Sequence, residues 1–121
     1  MKAVPGEHEY KELLPGIKAR LVHCDESLVA IETIIEPGAR VPPHQHESVQ
    51  VTIVLEGSLA LGVEGLGERV LSKGDYLVIP RRAKHWAGSG QGARVLDINA
   101  PLTKDRLEMV NKLGGCRGEL S

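Results

Sequence analysis

His44 and His46 stand one residue apart in Pro42-Pro43-His44-Gln45-His46. On an extended backbone such a pair projects to one side, because strand side chains repeat with period two. One short piece of chain can therefore offer two imidazoles to a single metal ion. Gln50 follows His46 closely and offers an amide carbonyl oxygen as a third ligand, and His85 supplies a fourth from a separate segment. Imidazole is a ligand for Zn, Fe, Ni, Cu and Co because it binds while neutral near physiological pH. Three histidines and one amide oxygen leave two positions open on an octahedral ion, which a catalytic metal needs and a structural one lacks. Ligands borne on separated strands and meeting at one ion require a β-barrel with a polar centre.

The segments that must place these ligands read as short strands. Ile17 to Cys24 and Leu28 to Ile35 are β-prone runs separated by the turn Asp25-Glu26-Ser27, and Pro37-Gly38 closes the second. Val49 to Leu55 is rich in β-branched residues, and Glu56-Gly57 reads as a turn into Ser58 to Val63. Glu64 to Glu68 is a Gly-rich turn before Arg69 to Leu71, and Lys73-Gly74-Asp75 turns into Tyr76 to Ile79, which Pro80 ends. Ala83 to Ala87 and Ala93 to Ala100 complete the series. Short strands at this spacing, with frequent Gly and Pro, predict a sandwich or barrel. Residues 1–16, with Pro5-Gly6 and Pro15-Gly16, read as an edge strand or arm. Residues 102–113 predict one short helix with Thr103 as N-cap, an apolar stripe of Leu107, Val110 and Leu113, and Gly114 beyond its end.

Composition bounds the function classes. A chain of 121 residues fits a single domain, with 41% apolar and 26% charged residues. Its net charge of −1 favours neither nucleic acid nor an anionic membrane, and with no Phe, one Trp and two Tyr it has little to stack on bases. The N-terminal stretch is polar and no apolar run is long enough to span a bilayer, which predicts a cytoplasmic protein. Cys24 and Cys116 form no Cys-x-x-Cys pair; Cys24 reads as a small buried hydrophobe and Cys116 as a free thiol in the tail. His8 and His23 lie outside any motif and read as structural, and Tyr76 and Trp86 as wall or core residues. Gly62 and Gly65 to Gly67 read as turn glycines. If Gln50 faces the barrel centre, Thr52 and Val54 do too, while Val49, Val51, Ile53 and Leu55 form an apolar outer face that needs a cover.

Asp97 lies among apolar neighbours in Val95-Leu96-Asp97-Ile98-Asn99, sharing a face with Asn99. A carboxylate inside the barrel can serve as general acid or base; one at a strand end can equally be a cap or ion-pair partner. Arg81, Arg82 and Lys84 flank His85, and Arg40 precedes the His pair, so Arg40, Arg82 and Lys84 are candidates to hold a substrate carboxylate.

Two stretches together resemble the paired motifs of the cupin superfamily. The first family motif is Gly, five residues, His-x-His, three or four residues, Glu, six residues, Gly; here it reads Gly38, His44, His46, Gln50, Gly57, with Gln for Glu. The second is Gly, five residues, Pro-x-Gly, two residues, His, three residues, Asn; here it reads Gly74, Pro80, Arg82, His85, Ser89, with the inner Gly and the final Asn replaced. The resemblance implies an all-β jelly-roll barrel over about residues 10–101, followed by the C-terminal helix and tail of residues 102–121, and a homodimer. It also implies one divalent transition metal (Zn, Ni, Fe, Mn or Co) on His44, His46, Gln50 and His85. Gln in place of Glu removes a negative charge beside the metal, which favours an anionic substrate and Lewis-acid chemistry over dioxygen chemistry. Small cupins that linearise unsaturated uronates from pectin and alginate also carry Gln there, with a late Asp-x-Phe-x-Pro-x-Arg segment. Asp97 and Pro101 match that segment, while Asn99 and Thr103 replace its Phe and Arg.

These readings converge on a metal-dependent small-molecule enzyme that opens, tautomerises or isomerises a sugar acid or keto acid, with Asp97 moving a proton. An Fe- or Mn-dependent dioxygenase and a non-catalytic binding barrel are the alternatives.

Overall fold

Residues 9–116 are described by the computed structural model. They form β1 (Lys11–Leu14), β2 (Ile17–Cys24), β3 (Val29–Ile35), β4 (Arg40–His44), β5 (Val49–Val63), β6 (Gly67–Ser72), β7 (Tyr76–Ile79), β8 (His85–Gly88), β9 (Ala93–Ala100) and the helix α1 (Lys104–Lys112). The strands run in the order β1-β2-β3-β9-β5-β8-β4, with β6 and β7 also paired to β5. Every pairing is antiparallel, and the sheet curls into a jelly-roll barrel. Pro42 and Pro43 fall in β4, the last strand of that order, where a missing ladder donor costs least.

β5 joins the two halves of the barrel. Its first half pairs with β7 and β9 and its second with β6 and β8. The turn expected at Glu56-Gly57 is instead a bend within this one strand, where the register with β9 shifts between Val54 and Glu56. Gly57 has φ +79°, and a Cβ there would collide with the Gly92 carbonyl, so glycine lets two backbones cross closely. Gly62 likewise is a mid-strand residue and not part of a turn: the Trp86 indole covers the place where its Cβ would be.

Alternation along β5 puts Gln50, Thr52 and Val54 in the interior and leaves Val51, Ile53 and Leu55 half-buried on the outer face. Tyr76, expected as wall or core, stands 65% exposed on that face opposite Ile53. Two apolar clusters fill the inside. One includes Ile17, Ile35, Val54, Leu59, Leu61 and Val95 within the barrel; the other packs α1 through Val110 and Leu113 onto Leu21, Val29 and Ile31. Each such side chain contributes roughly 1.5–3 kcal/mol when fully buried.

The C-terminal segment departs from the sequence reading in two ways. Thr103 holds the N-cap position of α1, but the buried stripe is Arg106, Val110 and Leu113, with Leu107 left 39% exposed. That stripe follows the i, i+4, i+7 spacing of a helix face, and its first member is an arginine that a search for apolar residues passes over. Cys116 is no free thiol: it pairs with Cys24 in a disulfide that ties the segment after α1 to the end of β2, with Cα atoms 5.1 Å apart. In the turn between β2 and β3, Asp25 accepts hydrogen bonds from the Ser27 and Leu28 amides and pairs with His23 at 2.7 Å, so His23 is structural. Residue His8 lies outside the described residues. No described helix is long and apolar enough to cross a membrane.

Candidate metal centre and proton-transfer site

β4 and β8 pair with His44 opposite His85, which places two of the expected ligands side by side in the wall of one cavity. His46 lies beyond the end of β4, so the period-two argument does not place it. A loop contact does: the Arg82 amide donates to the His46 carbonyl at 2.7 Å. The ring centroids of His44, His46 and His85 lie 4.2–5.1 Å apart, and one nitrogen from each falls within 4.8 Å of the others.

The tautomers suit metal binding. His44 Nδ1 donates to the Pro42 carbonyl at 2.8 Å and His85 Nδ1 to the Ala83 carbonyl at 2.9 Å. Each ring thereby keeps Nε2 as its lone-pair nitrogen, and backbone carbonyls fix the ring orientation as outer partners do in metal sites. Nε2 of His85 is buried with no hydrogen-bond partner, which is costly for a polar atom unless something binds it. Burial, reinforced by neighbouring positive groups, pushes His46 down to about 3 and His85 down to about 4, so both are neutral and ready to donate. The three histidines can hold a metal ion.

Gln50 lines the same cavity as the histidines and is hydrogen-bonded to Asp97. Its Oε1 accepts from Asn99 Nδ2 at 3.2 Å, and its Nε2 donates to Thr52 Oγ1 at 3.0 Å and to Asp97 Oδ1 at 3.3 Å. An amide oxygen has two lone pairs, so one is still available to a cation. Asn99 is fully buried beside it and also donates to Ser48 Oγ. Asp97 collects further hydrogen bonds from Thr52 Oγ1 at 2.7 Å and Thr33 Oγ1 at 3.4 Å. Burial pushes its carboxyl above the usual carboxylate range; the Thr52 hydroxyl, the Arg106 charge and the Thr33 hydroxyl oppose that shift without cancelling it. A carboxyl so placed can hold or release a proton closer to neutrality than an exposed one.

The cavity has a volume of about 440 Å³ and takes in all three histidines, Gln50, Asp97 and Arg106. A family model for the cupin domain matches residues 31–99. The chain belongs to the cupin family. It is 27% identical over 106 residues to the pectin degradation protein KdgF of Dickeya dadantii, covering 86% of this chain and 96% of that one. The solved structure of KdgF from a Halomonas species aligns at 33% identity and a TM-score of 0.76, covering 84% of this cupin and 94% of that chain. An RmlC-like cupin from Shewanella frigidimarina aligns at 26% identity and a TM-score of 0.78, covering 85% and 92%.

The basic residues of this cupin fall differently from the expectation. Arg40, Arg82 and Lys84 are exposed and do not line the cavity. Arg82 instead pairs with Glu47 at 2.8 Å, and it keeps φ 63° at the position where the family motif has Gly. Its left-handed backbone serves the loop that holds His46. The basic side chains that line the cavity come from α1, Arg106 and Lys112, and of the two Arg106 is buried. Its Nη1 lies 3.3 and 3.4 Å from the two nitrogens of His46. Asp105, beside it, fastens the first turn of α1 to the histidine loop by accepting the Glu47 amide at 3.1 Å. A buried arginine in a helix gives no apolar signal; only its spacing from Val110 and Leu113 hints at it.

Proposed function

We propose that this cupin is a metal-dependent enzyme that opens, tautomerises or isomerises a small anionic sugar acid or keto acid. The observation that carries the reading is Asp97: a carboxyl with a raised pKa, in the same cavity as three convergent histidines and hydrogen-bonded to Gln50, which lines that cavity too. Similarity to two KdgF proteins, one of them described as a pectin degradation protein, supports the same reaction class. His44, His46, His85 and Gln50 would hold one divalent transition metal (Zn, Ni, Fe, Mn or Co), which supplies polarisation of a substrate oxygen. Asp97 takes a proton from the substrate's hydroxyl or α-carbon and returns it at the neighbouring position, so hydrogen moves with no net oxidation. Thr52 and Thr33 orient the carboxylate for that transfer.

The reading also takes the protein to be a cytoplasmic homodimer. The outer face supports the dimer, since Val78 is 48% exposed opposite Val51 and continues the apolar surface of Tyr76 and Ile53. A second copy is the cover with matching chemistry, and Val78→Glu should convert a dimer to monomer in sedimentation. The cytoplasmic placement is tested by thiol titration of freshly isolated protein, because a Cys24–Cys116 bond persists least where glutathione is reducing.

The deciding test is elemental analysis of untagged protein beside His44→Ala and His85→Ala. Near-stoichiometric metal lost in both variants supports the site, and uptake of solvent deuterium into a keto or sugar acid supports the reaction. Oxygen consumption with a catechol by iron-loaded protein, without such exchange, would overturn it in favour of a dioxygenase.

A further inference from the structure

Arg106 is 8% exposed, and among the described residues it makes no ion pair. Its Nη1 reaches only the ring of His46, and its Nε is buried without a hydrogen-bond partner. Asp97 and Asp105 attract this guanidinium across the cavity without an ion-pair contact, so its hydrogen-bonding fork stays unfilled, and a metal on the same histidine would add a second positive centre beside it. Two cations facing one cavity are stabilised together by an anion that bridges the space between them. Arginine's planar fork matches a carboxylate with two parallel hydrogen bonds.

The rest of the cavity limits what that carboxylate can be attached to. Ile31, Ile35, Leu59, Leu61 and Val95 supply aliphatic wall. The interior hydroxyls and amides are already engaged, with Thr33, Thr52 and Gln50 all donating to Asp97 and the Gln50 carbonyl accepting from Asn99. A polyhydroxylated body would have to bury several hydroxyls against methyl groups, each at a cost of about 1–3 kcal/mol. An aliphatic body meets no such penalty.

We propose that the site selects a small keto or enol carboxylic acid with an aliphatic body, its carboxylate on Arg106 and its hydrocarbon end against Ile31, Ile35, Leu59, Leu61 and Val95. This rests on the function proposed above and chooses between the two acid classes it allows. In the tautomerisation the enol O–H bond breaks as a C–H bond forms on the adjacent carbon and the C=C double bond becomes C=O; the reverse step breaks that C–H bond and restores O–H and C=C.

Calorimetric titration of the metal-loaded full chain with 4-methyl-2-oxopentanoate, D-galacturonate and the neutral ketone 4-methyl-2-pentanone tests the assignment. The keto acid should bind at least about tenfold more tightly than galacturonate. Arg106→Gln should weaken the keto acid about thirtyfold or more and leave the neutral ketone within about twofold, with metal content unchanged. Arg106→Lys, which keeps the charge without the fork, should fall between and guards against a folding defect. Galacturonate binding as tightly as the keto acid would overturn the substrate class. Equal weakening of acid and ketone by Arg106→Gln would overturn the role of Arg106. Keto acid binding without solvent-deuterium exchange at C3 would sustain this inference and sink the proton-transfer reading; exchange on the uronate alone would do the opposite.

Discussion

Glu32 on β3 and Asp97 on β9 are acidic residues one register step apart on neighbouring strands, yet their surroundings put them to opposite uses. Asp97 pairs with Ile31 and faces the cavity, whereas Glu32 pairs with Leu96 and faces the outer side of the sheet. Glu32 is gripped by two guanidiniums, Arg20 at 2.7 Å and Arg94 at 2.7 Å, and Arg94 reaches on to Glu56 at 2.8 Å. Burial works to raise the Glu32 carboxyl, but the hydrogen bonds from Arg94 and Arg20 outweigh it and hold it below the usual range. Asp97 has only hydroxyl and amide donors within hydrogen-bond reach, so burial prevails and its carboxyl sits high. A carboxylate clamped by arginines is fixed as an anion; one held by neutral donors keeps its proton within reach.

The sharpest way to break this contrast is to neutralise each acid in turn. Asp97→Asn should reduce turnover at least about a hundredfold, the usual range for loss of a general acid or base. Its metal content should be unchanged, and its melt at neutral pH at least as high as that of wild type, because a poorly compensated buried charge is gone. Activity within about threefold of wild type would end the proton-transfer role. Glu32→Gln should do the reverse. Turnover and metal should persist while stability drops by about 1–3 kcal/mol in a urea melt, less than for a fully buried pair because Arg94 is more than a third exposed and partly rehydrates.

Acid titration of stability separates the two further. The folded-state pKa of Glu32 lies below its ordinary 4.5, so its contribution is complete above that value and is lost as pH falls through the lower folded value. Wild type and Glu32→Gln should therefore draw together in stability as pH falls from 4.5 through that lower folded value. A constant difference down to pH 2 would assign the effect to packing instead. The smallest expected change is from Thr52→Val, which removes the 2.7 Å hydrogen bond to Asp97. That bond favours the charged form, so its loss should raise the Asp97 pKa further, shift the acid limb of the rate profile to higher pH and lower kcat by about tenfold. An unshifted limb would show that another group sets it.

Much of this site is legible in the sequence, because the ligands belong to local patterns. The spacing of His44, His46, Gln50 and His85 identifies the metal candidates, and β7 and β9 occupy the stretches their residue types predict. The alternation that carries Gln50 inward carries Thr52 with it, and the same rule puts Asp97 and Asn99 on one face. Gly57 is less legible: a Glu-Gly pair marks a hairpin or a strand bend alike, and the Gly92 carbonyl across the sheet decides which.

By itself, the sequence determined the elements and the identity of the metal candidates, since β-propensity, turn chemistry and ligand type act over a few residues. Only the tertiary structure decided what reaches the cavity and from where. Arg106 enters it because α1 docks on β2 and β3 through Val110 and Leu113, and no local pattern records which helix face that docking selects. Arg40, Arg82 and Lys84 stay outside although they neighbour the histidines in sequence. Cys24 finds Cys116 across 92 residues for the same reason. Packing joins positions distant in the chain, and the charge, burial and partners that set each group's chemistry come from those distant neighbours.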